Sequence, residues 1–367
     1  MEKPKSGLES AIPGEAQPFH EWTLVPTKQN VVCLSLGGSS MKFNRKTLAT
    51  SVAASTLALG VAPAAYAQIE LGEGFSVTGF LDMSYVYSDA DGAARTDKEF
   101  GIDQFEMNFL YAGSNGISAQ VDIEYGEHGA GEEAADETFV EQAFITKKFN
   151  DQFSIKAGRF LSNSGWETEE PTGLYQYSGT GYGEFFYGGY QQGISASYDL
   201  GVVQLMASVV NSAFTPTERD TTTLATELGV AVTPLEGLTA KLFYIQDEDT
   251  DLINFWTSYQ VSSFTFAFEY NVGDYGDAYG VEDADGDGYL LMANYAVGDF
   301  GITVRYHDYS IEGKVAGESV TVIENSAITI SPSYKVSDNL LLVAEYRMDE
   351  FGSQDVNTFA LEALFTF

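Results

Sequence analysis

The chain has 367 residues, with 37 Gly, 22 Tyr and 25 Phe but only 9 Pro, an aromatic, glycine-rich composition unlike that of a disordered segment. Past residue 68 no apolar run approaches the ~20 residues a spanning helix needs, which excludes a helical membrane protein but not a membrane β-barrel, whose strands turn only every second residue to lipid. Residues 68–367 keep 12 of the 18 Lys and Arg and 49 of the 53 Asp and Glu, a net charge of −37 that repels nucleic acid and attracts divalent cations.

In chain order, a basic segment M41-K-F-N-R-K46 precedes an apolar run over 47–67 that ends in A65-Y-A67. A basic start, an apolar centre and small residues before Gln68 predict a secretory signal peptide over 41–67. Residues 1–40 have no place in such a signal and read as an upstream extension outside a product that starts at Met41. The single Cys33 lies in that extension, so residues 68–367 rely on neither disulfides nor thiol ligands.

From residue 75 a period-two alternation recurs, the mark of strands with one apolar and one wet face. It predicts sixteen strands, over 75–88, 100–112, 117–126, 138–148, 152–160, 188–199, 202–211, 223–233, 238–245, 251–261, 264–272, 289–297, 300–309, 326–336, 340–349 and 356–367. In the eleventh, Phe264, Phe266, Phe268 and Tyr270 oppose Thr265, Glu269 and Asn271; in the tenth, Trp256 sits on the polar side. The fourteenth contains Pro332, which lacks the N–H that an interior strand uses. In the last, Phe359, Leu361, Ala363, Phe365 and Phe367 alternate with Thr358, Glu362 and Thr366. A strand at a chain end is an open edge unless it pairs, and its predicted partner is the first strand.

Connections after the even strands are short, G298-D299 having the Gly-first order of a type II′ turn. Those after odd strands are mostly long: 89–99, 127–137, 161–187, 212–222, 273–288 and 310–325, with shorter ones at 246–250 and 350–355. The expected fold of domain 68–367 is a 16-stranded antiparallel transmembrane β-barrel with short periplasmic turns and long external loops. Tyrosines near the ladder ends match aromatic girdles at the headgroups, and polar faces rich in Gln, Asn, Glu and Asp suit a wet lumen better than the shared core of a soluble sandwich.

The signal peptide, the ladders and the closing strand ending in Phe resemble those of Gram-negative outer-membrane porins. F153-S-I-K-A-G-R-F160, the Trp166 and Glu167 region, and G193-I-S-A-S-Y198 are similar to segments of the β-barrel porin families. The resemblance implies residence in the cell outer membrane among bilayer lipid and lipopolysaccharide, and a homotrimer. It also implies that Phe359, Leu361, Ala363, Phe365 and Phe367 form the signal read by the outer-membrane assembly machinery, and that 161–187 folds inward as a constriction loop.

That loop carries Glu167, Glu169, Glu170 and Glu184, while Lys156, Lys241, Arg305 and Arg347 fall on the lumen phase of the fifth, ninth, thirteenth and fifteenth strands. Glu269 and Glu345, with Glu106, Asp122, Glu124, Glu227 and Glu362, share that phase and outnumber the bases, a bias that favours cations in a pore. D283-A-D-G-D-G288 has the opening of a calcium loop, which makes Asp283, Asp285 and Asp287 candidate Ca²⁺ ligands in an external loop, although the twelfth position is Asn294 and not Glu. No other cofactor and no catalytic residue is expected, since His307, beside Arg305, has no Ser or Asp that the sequence places against it. The expected function is a passive diffusion channel for ions and small hydrophilic solutes. A non-conducting barrel with a structural or adhesive role, or a barrel hydrolase built on His307, are the alternatives.

Overall fold

The computed structural model describes residues 68–90, 97–126, 137–167, 170–215 and 222–367. The expected signal peptide and upstream extension lie outside the described residues. A short strand β1 (Ile69–Gly72) precedes sixteen long ones: β2 (Phe75–Ala90), β3 (Asp97–Ala112), β4 (Ile117–Gly126), β5 (Glu137–Lys148), β6 (Phe153–Leu161), β7 (Tyr190–Asp199), β8 (Val203–Val210), β9 (Ala225–Leu235), β10 (Leu238–Asp247), β11 (Thr250–Val261), β12 (Phe264–Gly276), β13 (Glu282–Val297), β14 (Phe300–Val315), β15 (Glu318–Ser337), β16 (Leu340–Phe351) and β17 (Gln354–Thr366). Each of the sixteen pairs antiparallel with its sequence neighbour, and β17 pairs with β2 in a register from Val356↔Ala90 to Thr366↔Phe80. The sheet is thus a closed 16-stranded barrel, with β1 laid along the start of β2.

Closure is completed by the last residue, whose amide and carbonyl bond reciprocally to the carbonyl and amide of Gly79, each at 2.9 Å. The Phe367 ring lies over the same glycine and stacks against Phe105, with centroids 6.4 Å apart. A Cβ on Gly79 would stand 2.3 Å from the Glu106 carbonyl oxygen on β3 and 2.6 Å from the ring's Cζ, so a side chain there presses on both the neighbouring strand and the terminal aromatic.

The outward face is apolar, with Phe266, Leu291, Val304, Ile330 and Leu361 each 40–49% exposed. At the end that holds the chain terminus, aromatic pairs Phe75–Tyr111, Phe264–Tyr295 and Phe300–Tyr334 lie 4.7–4.8 Å apart. Tyr85–Phe100 and Tyr289–Tyr306 lie toward the opposite end. These two girdles flank a lipid-facing band.

One sequence expectation needs correction. The long loops expected over 273–288 and 310–325 are mostly strand, and their connections shrink to 277–281 and 316–317. The ladders run on because alternation continues in polar residues, and because Ala316 and Gly317, at φ 52 and 83, supply a tight two-residue hairpin turn. The strand expected over 326–336 is present within β15, with Pro332 well inside it. Pro332 faces Ile302 on β14, while the pairing with β16 lapses between Ile330↔Tyr346 and Ser333↔Val343. There the Ser331 hydroxyl donates to the Ala344 carbonyl at 3.2 Å, standing in for the missing amide.

Leu361→Arg is expected to cost about 2–4 kcal/mol if it lies at mid-membrane, measured by denaturant titration of the barrel refolded into vesicles. Gly79→Val is expected to lower the fraction of heat-modifiable, folded barrel on gels, because its side chain collides with β3 and the terminal ring, and loss of Phe367 should do the same by leaving the seam unfilled.

Candidate functional site

The 28-residue connection between β6 and β7 is folded into the bore and bonded to the wall along its length. Its first residues run past β9, β11 and β12. The Ser162 hydroxyl donates to Glu227 at 2.6 Å, the Gly165 amide to Asn254 at 3.0 Å and the Trp166 amide to Glu269 at 3.0 Å. Glu269, wholly buried, also accepts from the Tyr182 hydroxyl at 2.6 Å, from the Tyr187 hydroxyl and from Asn254 Nδ2. Burial and the adjacent Glu269 push both phenols well above their ordinary pKa, so they remain donors at any physiological pH. A carboxylate with this many converging donors is satisfied without a cation.

Farther along, the loop crosses to β14 and β16. Arg305, wholly buried, pairs with Glu167 at 2.6 Å and donates to the Ser178 and Gly179 carbonyls. Glu167 accepts in addition from Gln176 Nε2 at 3.0 Å and from the amide and hydroxyl of Thr180 at 2.7 and 2.9 Å. Glu345 receives the amides of Tyr177 and Ser178, and Arg347 bonds the Gly179 and Thr180 carbonyls while held by Asp349 at 2.6 Å. The Tyr177 hydroxyl reaches Ser84 on β2 and Asp103 on β3.

The returning arm, a short helical turn α1 (Gly183–Phe186), is fixed by packing. Trp166, Tyr182, Phe186 and Tyr187 form an apolar cluster with Ile245, Leu252, Trp256, Leu290, Tyr309 and Ile311 of the wall. The indoles of Trp166 and Trp256 meet edge-on at 5.3 Å. One side of the lumen, from β10 to β14, is therefore filled by aromatic and aliphatic side chains.

The residues expected to line the pore separate into two groups. Glu167, Glu269, Arg305, Glu345 and Arg347 are brought together as the bonds that seat the loop, and their charges are spent on one another and on backbone groups. Lys156 and Lys241 are not part of these bonds: their ammonium groups lie over the rings of Phe144 and Phe160 at 4.7 and 5.3 Å, and of Trp256 at 4.8 Å. Glu184 is exposed on α1. Glu170 accepts from Gln104 Nε2 at 3.5 Å and from the Tyr190 hydroxyl at 3.2 Å. Glu169 lies outside the described residues.

Asp283, Asp285 and Asp287 lie exposed on β13, with Asp285 and Asp287 on one face of extended strand and Asp283 at an irregularity with φ 50, instead of on a curled calcium loop. Asp283 pairs with Lys314 at 2.7 Å. The fold does bring together three carboxylates, Glu106, Glu141 and Glu170; Glu141 was missed because the alternation of the expected fourth strand, 138–148, is broken by a bulge at this residue. His307 is buried between Asn325 Oδ1, 2.7 Å from its Nε2, and the ring of Tyr309.

A closed antiparallel barrel with a lipid-facing band between two aromatic girdles and a long loop anchored across its bore defines an outer-membrane β-barrel of the porin class. The chain belongs to the Gram-negative porin family, whose sequence model matches residues 49–354. It is similar in fold to an anion-selective porin from Comamonas acidovorans (14% identity, TM-score 0.61, covering 80% of this chain and 99% of that one). It also resembles the outer-membrane channel DcaP of Acinetobacter baumannii (12%, TM-score 0.60, 80% and 97%) and the trimer form of OmpT of Vibrio cholerae (12%, TM-score 0.58, 80% and 100%). No curated protein matches it by sequence. Family and fold place it in the outer membrane.

Because Arg305 and Glu167 are buried together, removing one strands the other at a cost of about 3–5 kcal/mol. Arg305→Met should loosen the loop and give noisy, larger single-channel steps, and the double variant Arg305→Met, Glu167→Met should restore quieter ones.

Proposed function

We propose that this porin is a passive diffusion channel for ions and small hydrophilic solutes, and that it prefers cations. The observation that carries the preference is the way the lumen's two arginines are used. Arg305 and Arg347 are tied to Glu167, Asp349 and loop carbonyls, and among the described residues Lys156 and Lys241 are lumenal cations that take no part in these pairs. Facing the lumen against them are Glu106, Asp122, Glu124, Glu141 and Glu227, and the net charge of residues 68–367 is −37. A bore of this sign raises the local concentration of cations and lowers that of anions.

The channel functions as a homotrimer embedded in bilayer lipid and lipopolysaccharide, delivered by the assembly machinery through its C-terminal strand. Support for the trimer is the trimer form of the Vibrio cholerae neighbour. A second reading, a barrel that does not conduct, draws on the aromatic cluster that occupies one side of the bore.

Planar-bilayer recording under a KCl gradient separates these readings. Discrete steps with a reversal potential of the sign set by K⁺ flow are expected. A reversal toward the Cl⁻ potential overturns the cation preference, and well-folded protein that gives no steps overturns the channel.

A further inference from the structure

Glu106 on β3, Glu141 on β5 and Glu170 on the in-folded loop come from three separate elements, yet one carboxylate oxygen of each lies within 4.8 Å of the other two. Glu106 and Glu141 are 2% and 3% exposed. A second observation concerns hydrogen bonding and not position: the Oε2 atoms of both Glu106 and Glu141 are buried without any donor. Elsewhere in this lumen the buried carboxylates Glu167, Glu269 and Glu345 each gather several donors. Among the described residues no Lys or Arg pairs with Glu106 or Glu141. The next group along the wall, Asp122, is also acidic and is linked to Glu106 through Asn108.

We propose that Glu106, Glu141 and Glu170 bind a hard divalent cation, with Ca²⁺ the best fit, at the seam between strands β3 and β5 and the loop inside the barrel. Buried carboxylate oxygens without donors need a positive partner, and hard oxygen ligands select hard cations. Ca²⁺ accepts flexible, irregular coordination by carboxylates from separate elements, whereas Mg²⁺ demands a near-ideal octahedron and holds its water. The remaining positions fall to water or to the second oxygens of the same carboxylates. A bound ion would join the loop's first turn to the wall strands β3 and β5, on the side of the bore away from the Arg305 and Glu269 contacts. This site is distinct from the aspartates of β13 and does not depend on conduction.

The test is calorimetric titration of CaCl₂ into the detergent-folded full chain at about 0.15 M NaCl, where exposed carboxylates are screened. A saturable site is expected, weakened at least about tenfold in Glu141→Gln and in Glu170→Gln, and unchanged in Asp285→Asn on the exposed hairpin. Heat-modifiable gel mobility verifies folding. If Glu141→Gln fails to fold, the loop variant Glu170→Gln carries the comparison, since no barrel strand contains it. A titration with no saturable site, meaning that the three carboxyls share protons only, overturns the proposal. So does an affinity unaltered in the folded glutamine variants.

Discussion

A sheet of sixteen strands in lipid has no water to satisfy a free edge, so its stability rests on the last strand meeting the first. In this protein the seam between β17 and β2 is in register over eleven pairs and is finished by the reciprocal amide–carbonyl bonds of Phe367 and Gly79. Everything else follows from that closure. It fixes which residues face inward, and a fixed inward face gives the long loop a set of polar partners at defined places.

Those partners explain why the loop takes one path across the bore. Its polar anchors are spread over β2, β3, β9, β11, β12, β14 and β16, so no single strand determines its position. The apolar cluster around Trp166 and Phe186 adds dispersion and burial on one side. Arginines that face a lumen are ordinarily charges presented to solute; here they serve as bolts. The electrostatics of the passage therefore depends less on how many bases the wall contains than on which of them the loop has already neutralised.

The strands were legible in the sequence wherever one face met lipid. The expected third strand, 117–126, coincides with β4, and the expected eleventh begins at Phe264 as β12 does. Legibility ended where both faces are polar, since the run Asp283–Gly288 carries no apolar rhythm and reads as a loop although it is strand. The loop's inward fold was implied by resemblance, but its bonds were not readable: Glu167 and Arg305 are 138 residues apart, and no local period reports that distance. One signal was present. Trp256 on a polar face, together with Ile245, Leu252 and Leu290 on the lumen phase, marked a place where the wall expects something apolar to lie against it.

β13, β14 and β15 carry their side of the wall far beyond the Tyr289–Tyr306 girdle. From Ile328 to Glu318 the chain climbs ten residues, ~34 Å along the strand at ~3.4 Å per residue, which exceeds the ~8 Å screening length of physiological salt several times over even after strand tilt. The upper part bears Asp283, Asp285, Asp287, Glu312 and Glu318. An ion approaching on that side meets a run of carboxylates well before it reaches the mouth, so on this side the field of the protein begins some way outside the bore.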